Sequence, residues 1–270
     1  MAFFDLDETL LAPDHVTVSP RTRNALSKMR EAGILLIIAT GRSRALLPDC
    51  LAKLPFDYHI TANGADIADL NTGKHIHTSY LPKEDAFAAW DLIKSRDLLV
   101  EWYVFNEVGI DAATKERLDS FSMPRWHKEY FQKGCMPVFE SVEHYLSEGA
   151  KGLEKINLPR FNPVLRDILW RELDALGRFT LSSSSGSNIE INRKGCTKGQ
   201  AIRALCRHLK IPVTRTMAFG DGGNDVEMLG TVGMGVAMAN GTELAKRMAQ
   251  AVAGPYDQDG VAVFIEGMLA

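Results

Sequence analysis

Ile34 to Ala39 is a run of six apolar residues with no alternation. A strand with one face in water alternates apolar and polar side chains. A strand covered on both faces does not, and such strands belong to parallel sheets flanked by helices. The residues before it supply one of those helices. Ser19 followed by Pro20 reads as an N-cap and first helical residue, Thr22, Ala25, Leu26 and Met29 recur at helical spacing, and Gly33 closes the helix. Met1 to Phe4 is a second short apolar segment, which runs straight into Asp5-Leu6-Asp7. Strand, helix, strand therefore opens the chain, and its crossover is right-handed in an α/β fold.

The same pattern returns at the other end. Ala201, Ile202, Leu205, Cys206 and Leu209 lie on one face of a helix from Thr197, strands are predicted at Met217 to Phe219 and Met234 to Met238, and Val261, Phe264, Ile265 and Met268 mark a final helix. Between the two ends the reading changes. Helices are predicted over Pro82 to Arg96 and Asn162 to Leu176, an aromatic-rich stretch covers Leu99 to Phe105, and paired strands fall around Phe179 to Ser184 and Asn188 to Ile191. At 270 residues the chain is long enough for two cores. The expected architecture is a Rossmann-like parallel-sheet core from 1–81 and 187–270, with a smaller α+β cap inserted at 82–186.

Composition narrows the partners. Hydrophobic residues at 46% and charged residues at 24% are ordinary for a globular chain. The net charge of −3 comes from 31 basic and 34 acidic residues with no basic run, which argues against nucleic acid. Asp5, Asp7 and Glu8 stand where a signal peptide needs a basic and then an apolar run, and no segment reaches about 18 apolar residues, so no membrane association is expected. Cys50, Cys135, Cys196 and Cys206 are scattered without a C-x-x-C pair, as in a reduced cytoplasmic protein.

Four polar constellations fall after predicted strands or at helix starts, where open α/β sheets place their sites. In Asp5-Leu6-Asp7-Glu8-Thr9 the two carboxylates are one residue apart, so in extended chain they point the same way and can share a cation or divide into nucleophile and acid. A solvated turn explains so short a pattern equally well. An EF-hand calcium loop is excluded, because Leu10 and Val16 stand where Gly and Glu are required. Thr40-Gly41-Arg42 offers a hydroxyl and exposed amides to phosphate oxygens, or merely a helix cap. Lys198 follows the N-cap Thr197, where a cation opposes the helix dipole, so pairing with an anion would explain it better than a surface placement. In Gly220-Asp221-Gly222-Gly223-Asn224-Asp225 the two carboxylates suit magnesium and the amide can donate to phosphate; a cap to the next helix accounts for one acid but not both.

In order and spacing, D-L-D-E-T-L, A-T-G-R-S, Lys198 in C-T-K-G, and G-D-G-G-N-D-V-E-M-L resemble the four motifs of the haloacid dehalogenase superfamily, specifically its Cof-type phosphatases. The resemblance implies that Asp5 attacks phosphorus and that Asp7 protonates the leaving group and then activates water. It implies further that Thr40, the Gly41 amide, Lys198 and Asn224 hold phosphate oxygens. Asp5, the backbone carbonyl of Asp7, and Asp221 would bind Mg2+, with Asp225 orienting the site from just outside and Arg42 lining the substrate pocket. The 157 residues between Thr40 and Lys198 put the cap at the family's second insertion point, from which such a cap would close over the site. Trp102, Arg125, Trp126 and His127 fall within it, and core packing or surface placement is expected for each. Glu8 departs from the family pattern, which usually has Gly there.

The expected activity is Mg2+-dependent hydrolysis of a small phosphorylated metabolite, a sugar phosphate or phosphorylated cofactor, by a monomer or small homo-oligomer. The alternatives are a phosphohexomutase with a similar cap and a catalytically idle binding or regulatory protein on the same scaffold. Loss of an essential carboxylate would mark the latter, and Asp5, Asp7, Asp221 and Asp225 are all present.

Overall fold

The structure, a computed structural model, describes residues 1–121, 123, 125–132, 138–159, 161–184 and 186–270. Five strands open the chain: β1 (Ala2–Phe4), β2 (Leu36–Ala39), β3 (Tyr58–Thr61), β4 (Asp66–Asp69) and β5 (His75–Thr78). Among the described residues of the insertion six follow: β6 (Glu101–Val104), β7 (Glu107–Asp111), β8 (Val138–Phe139), β9 (Leu153–Leu158), β10 (Phe179–Ser182) and β11 (Ile189–Arg193). Three close it: β12 (Met217–Gly220), β13 (Met234–Met238) and β14 (Ala251–Ala253).

The chain divides into two compact units, one of Met1–Arg42, Leu47–Thr78 and Thr197–Ala270, the other of Ser43–Leu46 and Ser79–Cys196. The first holds an eight-stranded sheet in the order β14-β13-β12-β1-β2-β3-β4-β5. From β14 to β3 the pairing is parallel, and β4 and β5 extend the sheet as antiparallel strands.

Burial on both faces is what the unbroken apolar run requires. Along β1 and β2, Ala2, Phe4, Leu36 and Ile38 pack on one side with Ala25, Leu26 and Met29 of helix Pro20–Glu31 and Val261, Ala262 and Ile265 of helix Gly260–Leu269. Phe3, Ile37 and Ala39 pack on the other with Ala201, Ile202, Leu205 and Cys206 of helix Lys198–Leu209. Ser19 caps the first helix, accepting from the Thr22 amide, and Gly33 follows its end at φ 77°, a left-handed conformation that a Cβ would strain.

The second unit has its own six-stranded sheet, ordered β10-β11-β9-β6-β7-β8. Its core forms around Trp102, fully buried with Trp90 and Tyr145 edge-on to it at 5.6 and 6.4 Å between ring centroids. The unit ends at Cys196 rather than at the expected 186, because β11 is hydrogen-bonded between β9 and β10 and carries Ile189 and Ile191 into this core. It begins at Ser79 rather than 82 and takes in Ser43–Leu46, where the Ala45 amide and the Ser43 hydroxyl both donate to the Asn106 carbonyl. Of the aromatic and basic residues singled out in the insertion, Trp102 packs the core. Arg125 is exposed and paired with Glu129 at 2.7 Å, and the side chains of Trp126 and His127 lie outside the described residues.

Phe4 stacks on Phe219 at 5.1 Å and meets Phe56 edge-on at 6.2 Å, so that β1 is held to β12 by rings as well as by backbone. Phe4→Ala is expected to destabilise the first unit by about 3–5 kcal/mol, the cost of a large buried cavity, as measured by urea unfolding.

Candidate active site

The carboxyl ends of β1, β2 and β12 lie side by side, and the loops that follow them bring the motif residues together. Asp5 comes directly after β1, with its backbone amide donating to the Phe219 carbonyl at 3.0 Å. Lys198 enters from the start of its helix, where Thr197 caps by accepting from the Gln200 amide at 3.1 Å. Its ammonium is fully buried and donates to Asp5 Oδ1 and to Asp225 Oδ1, each at 2.6 Å.

Asp225 uses its other oxygen to accept from the amides of Asp221 and Gly222 at 3.0 and 2.9 Å. This closes the loop after β12 onto itself. It also explains Gly220, where an added Cβ would sit 2.7 Å from the Asp225 side chain. Asp221 Oδ1 accepts from the Thr9 hydroxyl at 2.7 Å. Ligand atoms of Asp5, Asp221 and Asp225 all lie within 4.8 Å of one another, and all three residues are buried.

Thr40 is buried at the end of β2, where its hydroxyl accepts from the Arg42 amide at 3.1 Å. Gly41 lies between the two. Asn224 reaches the same region, donating to Asn63 Oδ1 at 3.1 Å, while the Asn63 amide donates to the Thr40 carbonyl at 3.0 Å. Arg42, expected in the substrate pocket, turns its guanidinium onto Asp7 instead: Nε donates to Oδ2 at 2.8 Å and Nη2 to Oδ1 at 2.5 Å. His15 Nδ1 stands 2.9 Å from the same Oδ1. Sequence reasoning passed over His15, Asn63 and the bonding role of Thr9. Thr9 is inside the first motif, but nothing in the sequence sets His15 and Asn63 apart from ordinary turn residues.

The sequence matches the haloacid dehalogenase-like hydrolase family over residues 2–265. The chain belongs to this family. An HMP-PP phosphatase of Escherichia coli is 31% identical over 244 residues, spanning 89% of this chain and 84% of that protein, and one of Klebsiella pneumoniae is 32% identical over 243 residues with the same coverage. A haloacid dehalogenase-like hydrolase from B. subtilis superposes with a TM-score of 0.84 at 27% identity, covering 98% of each chain. A subclass IIB sugar phosphatase shares the fold, with a TM-score of 0.83 over 99% of this chain and 98% of its own at 24% identity. As a haloacid dehalogenase-like hydrolase with phosphatase relatives, the protein is an enzyme, a phosphoric monoester hydrolase.

In this haloacid dehalogenase-like hydrolase the first motif divides into two electrostatic environments. Burial and the neighbouring Asp225 charge raise the Asp5 carboxyl to about 7 in spite of Lys198. Burial and the charges of Asp225 and Asp5 raise Asp221 to about 9, against the Thr9 hydrogen bond. Burial would raise Asp7 too, but the Arg42 charge and the hydrogen bonds from His15 and Arg42 outweigh it and hold its carboxyl well below the usual range. Lys198 pairs with two of the three clustered acids, so full ionisation of all three leaves negative charge uncompensated, and their hard oxygens are the donor set a small divalent cation takes. The residues therefore fit such an ion.

Glu8 adopts φ 54°, the left-handed region in which a side chain is strained and glycine is not. That conformation supplies the reason for glycine at this place in the family. Its carbonyl accepts from Asn240 Nδ2 at 2.9 Å, which helps to hold the turn.

Two outcomes are expected. Folding raises the Asp5 and Asp221 pKa values above their unfolded ones, so the native state binds more protons. In metal-free protein, stability should therefore fall as pH rises from about 4 through about 9. A saturating divalent cation should flatten that slope in pH-dependent thermal melts, by favouring the ionised carboxylates. Glu8→Gly should raise stability by about 1 kcal/mol in chemical denaturation, through relief of the left-handed strain.

Proposed function

We propose that the protein is a Mg2+-dependent phosphatase of small phosphorylated metabolites that works through an aspartyl-phosphate on Asp5. The observation that carries this reading is the buried Lys198 ammonium 2.6 Å from both Asp5 and Asp225, with Asp221 in the same carboxylate cluster. An ammonium so placed fixes Asp5 in direction and opposes the rise that burial and Asp225 impose on its carboxyl, which favours the ionised form a carboxylate nucleophile needs.

An Asp5 oxygen attacks phosphorus as the bond from phosphorus to the leaving oxygen breaks, and that oxygen takes the proton of Asp7. Asp7, now a carboxylate, accepts a proton from water as the water oxygen attacks phosphorus. The bond from phosphorus to Asp5 breaks, inorganic phosphate leaves, and both carboxyl groups return to their starting states. Thr40, the Gly41 amide, Lys198 and Asn224 hold the phosphate oxygens. Asp5, Asp221 and the Asp7 carbonyl would hold the Mg2+, with Asp225 orienting them. The ion supplies neutralisation of charge on the phosphate and the carboxylates when bound. Before substrate arrives Asp7 is ionised beside Arg42 and His15, which suits the base role; the negative charge of bound phosphate raises its pKa, so that it takes up a proton from solvent as substrate binds and returns it to solvent when inorganic phosphate leaves.

A curated relative is an HMP-PP phosphatase and a protein of the same fold is a sugar phosphatase, so both kinds of substrate belong in the test. A panel of phosphorylated metabolites including these, assayed for phosphate release, is expected to yield a substrate that stands out in kcat/KM. EDTA should abolish release, and Asp5→Asn should reduce it by more than about a thousandfold. Full activity in Asp5→Asn would overturn the assignment.

A further inference from the structure

The mechanism above gives His15 and Arg42 no part beyond keeping Asp7 ionised before substrate arrives. Yet among the described residues these two side chains supply the hydrogen bonds to the Asp7 carboxylate.

Both donors are held rigidly. His15 lies in the turn 12–17, where the Ala12 amide donates to the Thr17 carbonyl at 2.8 Å and the His15 amide to the Ala12 carbonyl at 2.9 Å. Asp14 ties the far side of the turn, accepting from the amides of Val16 and Thr17 at 2.9 Å each and from the Thr17 hydroxyl at 2.7 Å. Within this turn His15 has φ 59°, a left-handed conformation that persists in a non-glycine residue only where its surroundings over-determine it. The consequence is an imidazole aimed at Asp7. Arg42 is buried, with its amide bonded to the Thr40 hydroxyl and its carbonyl accepting from the Ala62 amide at 2.9 Å. Its Nη2 also donates to the His15 carbonyl at 3.1 Å, which joins the two donors to each other.

A carboxylate offers about four lone-pair sites. At Asp7 the pair on Oδ1 is engaged by Arg42 Nη2 and His15 Nδ1, and one site on Oδ2 by Arg42 Nε. Among the described residues none bonds the remaining lone pair, on Oδ2. We propose that His15 and Arg42 are positioning residues that fix the plane of the Asp7 carboxylate and direct its proton exchange, first with the leaving oxygen and then with water, to Oδ2. This rests on the reading of Asp7 as general acid and base. Arg42 supplies the fork that sets the plane, and His15 blocks the competing site on Oδ1.

Leaving-group dependence separates positioning from a loss of folding. An alkyl phosphate needs its leaving oxygen protonated, whereas the p-nitrophenolate leaving group does not at neutral pH. His15→Gly removes the imidazole at a φ that glycine adopts freely, and His15→Asn returns an amide donor in a residue that tolerates the same φ. With Mg2+ present, His15→Gly is expected to lower kcat/KM for an alkyl phosphate by about tenfold or more. On p-nitrophenyl phosphate the loss should stay below about threefold, with KM little changed on either substrate and His15→Asn recovering most of the deficit. Equal losses on both substrates, no loss on either, or failure of His15→Asn to recover would overturn the proposal. Asp7→Asn, measured alongside, should show the same contrast in larger degree. Its absence there would overturn the acid and base reading and the positioning with it, while its presence in Asp7→Asn without any in His15→Gly would overturn the positioning alone.

Discussion

One buried ammonium organises the first unit's site. Lys198 is removed from water at the first turn of a helix whose dipole disfavours it, so only direct pairing can hold its charge there. The two carboxylates that provide it come from opposite ends of the sequence, Asp5 after the first strand and Asp225 in the loop after β12. Asp225 passes the constraint on, since its second oxygen fixes the amides of Asp221 and Gly222. Three chain segments are thereby set within a few ångströms by a network in which each member is costly to bury without the others. With all its carboxyls ionised the network carries more negative than positive charge, and that imbalance is why its oxygens suit a cation.

Asp5 and Asp7 are separated by one residue and experience opposite surroundings. Asp5 shares its space with two other buried acids, and its carboxyl is pushed up; Asp7 faces a guanidinium and an imidazole, and its carboxyl is held down. Pairs of titratable groups driven apart in this way are how one site assigns different tasks to the same functional group. The first strand ends where the division begins, and the strained Glu8 that follows turns the chain out of the sheet.

Much of this was legible in the sequence where a local pattern has only one physical solution. The unalternating run at Ile34 to Ala39 requires cover on both faces, and it has it. Ser19-Pro20 and Gly33 bracket a helix because each residue is suited to one end and not the other. The carboxylates, the lysine and the glycine loop each had a bland alternative when read alone, and stood out only as a set whose order and spacing resemble the motifs of one family. What was not legible depends on tertiary partners. Arg42 was placed toward substrate because nothing in Thr40-Gly41-Arg42 shows which way a long flexible side chain will turn; its direction is settled by Asp7 across the loop. The left-handed φ of His15 is imposed by a turn that Asp14 stabilises, and histidine gives no hint of it. The strand Ile189–Arg193 was divided from its neighbours because apolar alternation says that a strand exists but not which sheet will take it.

The placement of β1 between β2 and β12 has a consequence for how the protein is made. A ribosome delivers β1 to β5 first, and the flank of β1 that will receive β12 stays an open row of amides and carbonyls until more than two hundred residues have been added. In the interval the insertion emerges whole, with a sheet and an apolar core of its own, and can close on itself. The nascent chain thus passes through a stage with one finished body and one half-built sheet whose exposed edge is a template for wrong pairing. Shielding of that edge during synthesis therefore guards the route to the native sheet.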